Sequence, residues 1–119
     1  MPRVTNAPAS RKRRKRVLKA AKGFRGNRKS LVRQAYNAVD RANAMAYVGR
    51  KQKKRHYRRL WNTRINAACR GHGLKYSEFM HGLKQAQVEL NRKVLANMAI
   101  EDPEGFGELV ETARNALAG

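Results

Sequence analysis

Residues 30 to 70 read SLVRQAYNAVDRANAMAYVGRKQKKRHYRRLWNTRINAACR. This stretch has no proline and a single glycine, Gly49, among many Ala, Arg, Lys and Gln, all strong helix formers. It predicts one long helix from about Ser30 to Arg70. Unbroken, such a helix would extend roughly 60 Å at about 1.5 Å per residue. That is further than a small domain covers, so its first part is expected to project, or to bend at Gly49. Leu31, Ala35, Ala38, Val39, Ala42, Ala46 and Tyr47 follow helical spacing but are too small to build a thick core. A helix faced with alanine lies close to a partner instead.

Beyond Gly49, the run Arg50-Lys51-Gln52-Lys53-Lys54-Arg55-His56-Tyr57-Arg58-Arg59 puts cations all around the helix. The character changes at Leu60-Trp61. Residues 1 to 59 carry 21 Lys/Arg against one acidic residue, Asp40, whereas residues 60 to 119 carry seven of each sign. The net charge of +20 therefore belongs to the N-terminal half. Charge of one sign at that density repels itself, and a polyphosphate is the natural counter-surface.

Working towards the N-terminus, the first nine residues hold Pro2 and Pro8 and no hydrophobic repeat, so they read as an extended tail. Ser10 is placed to cap a helix from Arg11 to Lys22, and Gly23 to end it. Gly23-Phe24-Arg25-Gly26-Asn27 reads as a turn. Phe24, between basic residues, serves either as a wedge against a base or ribose or as the anchor of a helix-to-helix connection.

Towards the C-terminus, Trp61, Ile65, Ala68 and Cys69 form an apolar stripe that begins a core. Gly71, Gly73 and Leu74 end the long helix. Ser77 is expected to cap a helix carrying Phe79, Met80 and Leu83, and Asn91 one carrying Val94, Leu95, Met98 and Ile100. Asp102-Pro103-Glu104 starts the last helix, with Phe106, Leu109, Val110, Ala113 and Leu117 on its apolar face. The expected fold is all-α: a basic N-terminal helical extension over residues 1–59 and a compact helical domain over residues 60–119.

Several functions are disfavoured. Five of the eight carboxylates fall between Glu101 and Glu111, where helix-start and surface roles explain them without an acid/base pair, so no catalytic residue is assigned. Cys69 and His72 have i, i+3 spacing, but His56 and His81 complete no four-ligand set, and neither metal nor cofactor is expected. The single cysteine allows no intrachain disulfide. No phosphate loop ending in Gly-Lys-Ser/Thr is present, and no apolar run approaches the roughly 20 residues of a membrane span. The start lacks the apolar centre of a secretory signal, which makes the cytoplasm the expected location.

Nucleic acid is the favoured partner. Arginine grips phosphates bidentately and stacks on bases, and Phe24, Tyr36, Tyr47 and Tyr57 lie among the cations. Compact RNA offers phosphate-lined crevices that a thin cationic helix can fill from several sides, which favours RNA over duplex DNA. Basic-region DNA binders continue into a heptad zipper, and none follows Trp61. A membrane-surface helix needs a broad Leu/Phe/Trp face where this chain has alanine. A DNA-compacting, nucleoid-type protein is the alternative reading.

Ala21-Lys22-Gly23-Phe24-Arg25-Gly26, Leu60-Trp61, Arg64-Ile65-Asn66-Ala67-Ala68, Gly73-Leu74, Tyr76-Ser77, Phe79 and Gly82-Leu83-Lys84 closely resemble the bacterial large-subunit ribosomal protein L-twenty family. The Met1-Pro2-Arg3-Val4 start and Arg92-Lys93-Val94-Leu95-Ala96 extend the resemblance over nearly the whole chain. Thr5-Asn6-Ala7-Pro8 departs from more basic relatives, and Asn62 stands where an aliphatic residue is common. The resemblance implies an N-terminal extension threaded into large-subunit ribosomal RNA and a C-terminal domain at the RNA surface. It further implies neighbouring large-subunit proteins as partners, a role in early subunit assembly and, in some lineages, repression of the protein's own messenger. The residues expected to contact RNA are Arg3, Arg11, Lys12, Arg13, Arg14, Lys15, Arg16, Lys19, Lys22, Phe24, Arg25, Arg28, Lys29, Arg33, Arg50, Lys51, Lys53, Lys54, Arg55, Tyr57, Arg58, Arg59 and Arg64. No small-molecule substrate and no membrane partner are expected.

Overall fold

Proline does not delay the first helix. In the computed structural model, which describes all residues from Met1 to Gly119, α1 runs from Ala7 to Ala20. Pro8 sits in its first turn, where a backbone N–H has no intrahelical partner to lose. Ser10 is consequently inside the helix, its N–H donating to the Asn6 carbonyl at 3.0 Å, and the expected tail ending at a Ser10 cap is corrected. A short 3₁₀ turn spans Gly26–Lys29, followed by α2 (Val32–Gly71), α3 (Tyr76–Gln85), α4 (Arg92–Glu101) and α5 (Pro103–Ala118). The fold is all-helical, and α2 is continuous through Gly49.

The chain separates into two compact units, Met1–Lys51 and Gln52–Gly119. In the N-terminal unit, Gly23 adopts φ +89° and Gly26 φ +66°, left-handed conformations that let the chain leave the helical path after α1. The Asn27 carbonyl accepts from both Ser30 and Leu31 (3.2 and 2.9 Å), and the Leu31 carbonyl accepts from Ala35 at 2.8 Å to open α2. Only Ala21 and Ala35 are fully buried here; Val17, Leu18, Phe24, Val32, Ala38, Val39 and Ala42 are half-buried.

The C-terminal unit has a true core. Ile65 and Cys69 of α2 meet Phe79 and Leu83 of α3, Leu95 and Ala96 of α4, and Phe106, Val110 and Ala113 of α5. The Phe79 and Phe106 rings pack with centroids 5.2 Å apart. Trp61 lies at the rim of this cluster, half-buried, because the helical stripe that aims it inward reaches the core only one turn later at Ile65. α3 and α5 approach so closely that a Cβ at Gly82 would collide with the Ala113 carbonyl.

Side-chain oxygens start two of the helices as expected. Asn91 Oδ1 accepts from the Val94 N–H at 2.9 Å, and Asp102 Oδ1 from the Gly105 N–H at 3.0 Å. α3 differs: Lys75 occupies the cap, Ser77 lies within the first turn, and Glu78 Oε2 reaches back to accept from the Lys75 N–H at 3.0 Å. A carboxylate at the third helical position satisfies that backbone donor, so Ser77 is not needed as a cap.

Candidate nucleic-acid interface

On α1 the cations are contiguous. Arg11, Lys12, Arg13, Arg14, Lys15 and Arg16 step round the axis at 3.6 residues per turn, so charge faces every direction. These six, Lys19 on the same helix, Lys22 just beyond it and Arg3 ahead of it are all exposed. The one ion pair in the molecule lies elsewhere, between Arg114 and Glu111 on α5 (3.6 Å), with both side chains largely in solvent. Not one of the 21 cations of residues 1–59 is neutralised by a carboxylate within the chain.

The connection between α1 and α2 brings three expected contact residues onto one side of α2. Phe24 is half-buried, while Arg25 and Arg28 are exposed. Together with Ala38, Arg41, Ala42 and Met45 of α2 they line a cleft of about 320 Å³. A second cleft, of about 600 Å³, is lined by Arg28 with Gln34, Asn37, Ala38 and Arg41. Lys29 and Arg33 are exposed but line neither cleft. Arg41, Gln34 and Asn37 were not singled out by charge runs. Their signal in the sequence is spacing: 34, 37, 38, 41, 42 and 45 fall on a single helical face.

Further along α2, Arg50, Lys51, Lys53, Lys54, Arg55, Arg58, Arg59 and Arg64 are exposed. Lys51 Nζ donates to the Tyr47 hydroxyl at 2.9 Å and lies 4.4 Å from that ring's centroid, a cation–π contact that holds both groups on one face. Tyr57, 47% exposed, is tilted against Trp61 with centroids 6.0 Å apart. The pairing fixes one side of the tyrosine ring and leaves accessible area for a stacking partner.

In the C-terminal unit several polar groups are committed to structure. Arg92 Nε donates to the Tyr76 hydroxyl at 2.8 Å, and that hydroxyl donates to Asn62 Oδ1 at 3.0 Å, joining α4, α3 and α2. This gives Asn62 a structural role as the acceptor on α2. Arg114 Nη2 donates to the His72 carbonyl at 2.7 Å, tying α5 to the end of α2, and the His72 ring lies 6.2 Å from Phe106. Burial pushes the Cys69 thiol up to about 11, so it is a protonated core residue at neutral pH rather than a nucleophile. No group of three or more His, Cys, Asp and Glu is placed to hold a metal ion, and no helix is long and apolar enough to cross a membrane.

The chain has close relatives. The family model described as Ribosomal protein L20 matches residues 3–109. The chain is 58% identical over 114 residues to the large ribosomal subunit protein bL20 of Geobacter sulfurreducens, covering 96% of this chain and 97% of that one. It is 58% identical over 117 residues to the protein of the same name from Alkaliphilus metalliredigens, covering 98% of each. The Cytophaga hutchinsonii protein, also so named, is 54% identical over 114 residues, with 96% of this chain and 99% of that one covered.

Proposed function

This chain belongs to the ribosomal protein L20 family, and from that premise we propose how its two units serve the large ribosomal subunit. The protein is a structural, non-enzymatic constituent of that subunit. Residues 1–59 act as an electrostatic thread laid among ribosomal RNA helices, and residues 60–119 as the folded body that docks on the RNA surface beside neighbouring large-subunit proteins. The observation that carries this division is the uncompensated charge: 21 cations, all unpaired within the chain, against seven of each sign in the C-terminal half.

The mechanism follows from polyelectrolyte physics. Each Lys or Arg that meets a phosphate releases a condensed counterion, which supplies binding free energy and relieves repulsion between converging RNA strands. A thread of this kind cannot enter crevices whose phosphates are already immobilised, so it binds while the RNA is still folding and restrains the helices around it. Action early in subunit assembly is the consequence. Repression of the protein's own messenger would use the same surface on an RNA that imitates the ribosomal site.

Binding to large-subunit RNA and to duplex DNA at matched salt tests the reading. With about ten phosphates neutralised, affinity for the RNA should fall by roughly five orders of magnitude between 50 and 200 mM salt. A flat salt response would reject the thread, and equal affinity for duplex DNA at physiological salt would favour the DNA-compacting alternative.

A further inference from the structure

The two clefts beside α2 carry chemistry that a uniform phosphate clamp does not require. Arg28 and Arg41 line both, and no carboxylate neutralises either guanidinium. Cations alone would make an anion groove. The added features are neutral: Gln34 and Asn37 present exposed carboxamides in the larger cleft, whereas Phe24 lines only the smaller.

Each group of the larger cleft has a counterpart in one nucleotide. A carboxamide offers an acceptor and two donors on one edge and pairs bidentately with the N6/N7 edge of adenine. Two arginines converging on a concave surface hold a phosphate through planar, multiply donating forks. Ala38, which lines both clefts, keeps the floor of α2 low between these groups. The larger cleft, of about 600 Å³, is open to solvent and roomy enough to admit a base from the side. A base stacked in a duplex exposes neither face and could not enter, so the fitting ligand is unpaired.

We propose that the larger cleft, between Arg28 and the Gln34–Arg41 face of α2, receives a single unpaired nucleotide of the RNA. Its phosphate sits between Arg28 and Arg41, and its base edge meets Gln34 and Asn37. The proposal rests on the RNA-binding reading above and adds local selectivity to it: the thread does not only neutralise charge, it also registers one extruded base.

The test uses the full chain and two RNA hairpins with the same stem, one carrying a single bulged adenosine, competing for the protein at about 150 mM salt. The bulged hairpin should bind roughly tenfold more tightly, on the scale of one bidentate contact to a base edge. Replacing both carboxamides, Gln34→Ala with Asn37→Ala, should bring that ratio close to one. The salt slope on the paired hairpin should stay unchanged, because neither carboxamide carries a charge that releases a counterion. Arg41→Gln should reduce the salt slope by about one on the bulged hairpin. A ratio of one in the unaltered protein, or a ratio untouched by the double substitution, overturns the nucleotide site while leaving the salt-dependent thread standing. Weak, salt-independent binding to both hairpins would overturn the thread and the site together.

Discussion

The N-terminal unit fully buries two apolar side chains, both alanine, whereas the C-terminal unit buries nine, including two phenylalanines, two leucines and an isoleucine. A buried methyl-sized group contributes about 0.8 kcal/mol, and fixing the backbone of one residue costs about 1–2 kcal/mol. Burial in the first unit cannot offset the ordering of its own chain, and its dense positive charge opposes compaction further. The second unit gains about 1.5–3 kcal/mol from each large side chain it hides. On these terms the second unit should be stable from within, and the first should require a counter-surface to hold its shape. Since α2 contributes to both, a single helix carries out two tasks with two compositions: alanine and cations first, a Trp61/Ile65/Cys69 stripe later.

The sharpest way to break this comparison is to damage each unit and read stability and binding separately. Phe79→Ala should lower the unfolding free energy by about 3–5 kcal/mol, because Phe79 is fully buried against Phe106 and its loss leaves a cavity. Replacing Arg13, Arg14 and Arg16 together with Gln should leave the thermal transition almost where it was and weaken RNA binding, since all three are exposed and unpaired. Calorimetry of the free full-length chain alongside an RNA titration checks both. Trp61→Ala belongs between these extremes. A half-buried rim residue should cost less than Phe79, and a loss as large as that of Phe79→Ala would return Trp61 to the core.

Much of this was legible in the sequence. The proline-free stretch from residue 30 to 70 fixed the long helix, and Asn91 and Asp102 marked helix starts because their side-chain oxygens precede the helix directly. Ser10 and Ser77 misled for the opposite reason. The helix extends past each of them towards the N-terminus, in one case because Pro8 fits a first turn and in the other because Glu78 satisfies the cap from inside. The Trp61 stripe gave the buried face of α2 but not the depth of each position on it. Asn62, Tyr76 and Arg92 are 14 and 16 residues apart, and no local pattern links residues that meet only once three helices have packed. The Gln34–Asn37–Arg41 face went unread, although its helical spacing lies in the sequence. That it forms a cleft depends on the 24–28 segment returning over α2, which is tertiary information.

A smaller effect sharpens the account of the second unit. Tyr76→Phe removes the hydroxyl that links Arg92 to Asn62 and should cost about 1–1.5 kcal/mol, the scale of a hydrogen bond whose partners lose each other in a half-buried site. Adding Asn62→Leu to Tyr76→Phe should recover part of that loss, since an apolar pair leaves no orphaned acceptor on α2. A double-mutant cycle by urea denaturation reads the coupling directly. Strict additivity would mean that the three groups are neighbours without being a network.

The smallest expected effect compares two helix ends inside that same unit. α2 and α3 finish in the same way. The Leu74 N–H donates to the Cys69 carbonyl and Gly73 to Arg70 (3.0 and 3.1 Å), and the Val88 N–H donates to Leu83 and Gln87 to Lys84 (3.0 and 3.2 Å). The residue that turns left-handed is Gly73 in the first, at φ +78°, and Gln87 in the second, at φ +57°. Only the second carries a Cβ against the following carbonyl, a strain of roughly 1 kcal/mol. Gln87→Gly relieves it but gives the unfolded chain more freedom to lose, so the net gain should be about 0.5 kcal/mol. Gly73→Ala introduces the same strain where none exists and should cost about 1 kcal/mol. Opposite signs for two substitutions at equivalent positions, read from urea midpoints with unchanged slopes, are the expected result. Equal signs would show that Gln87 makes up for its conformation through its side chain, and that α3 does not end on backbone geometry alone.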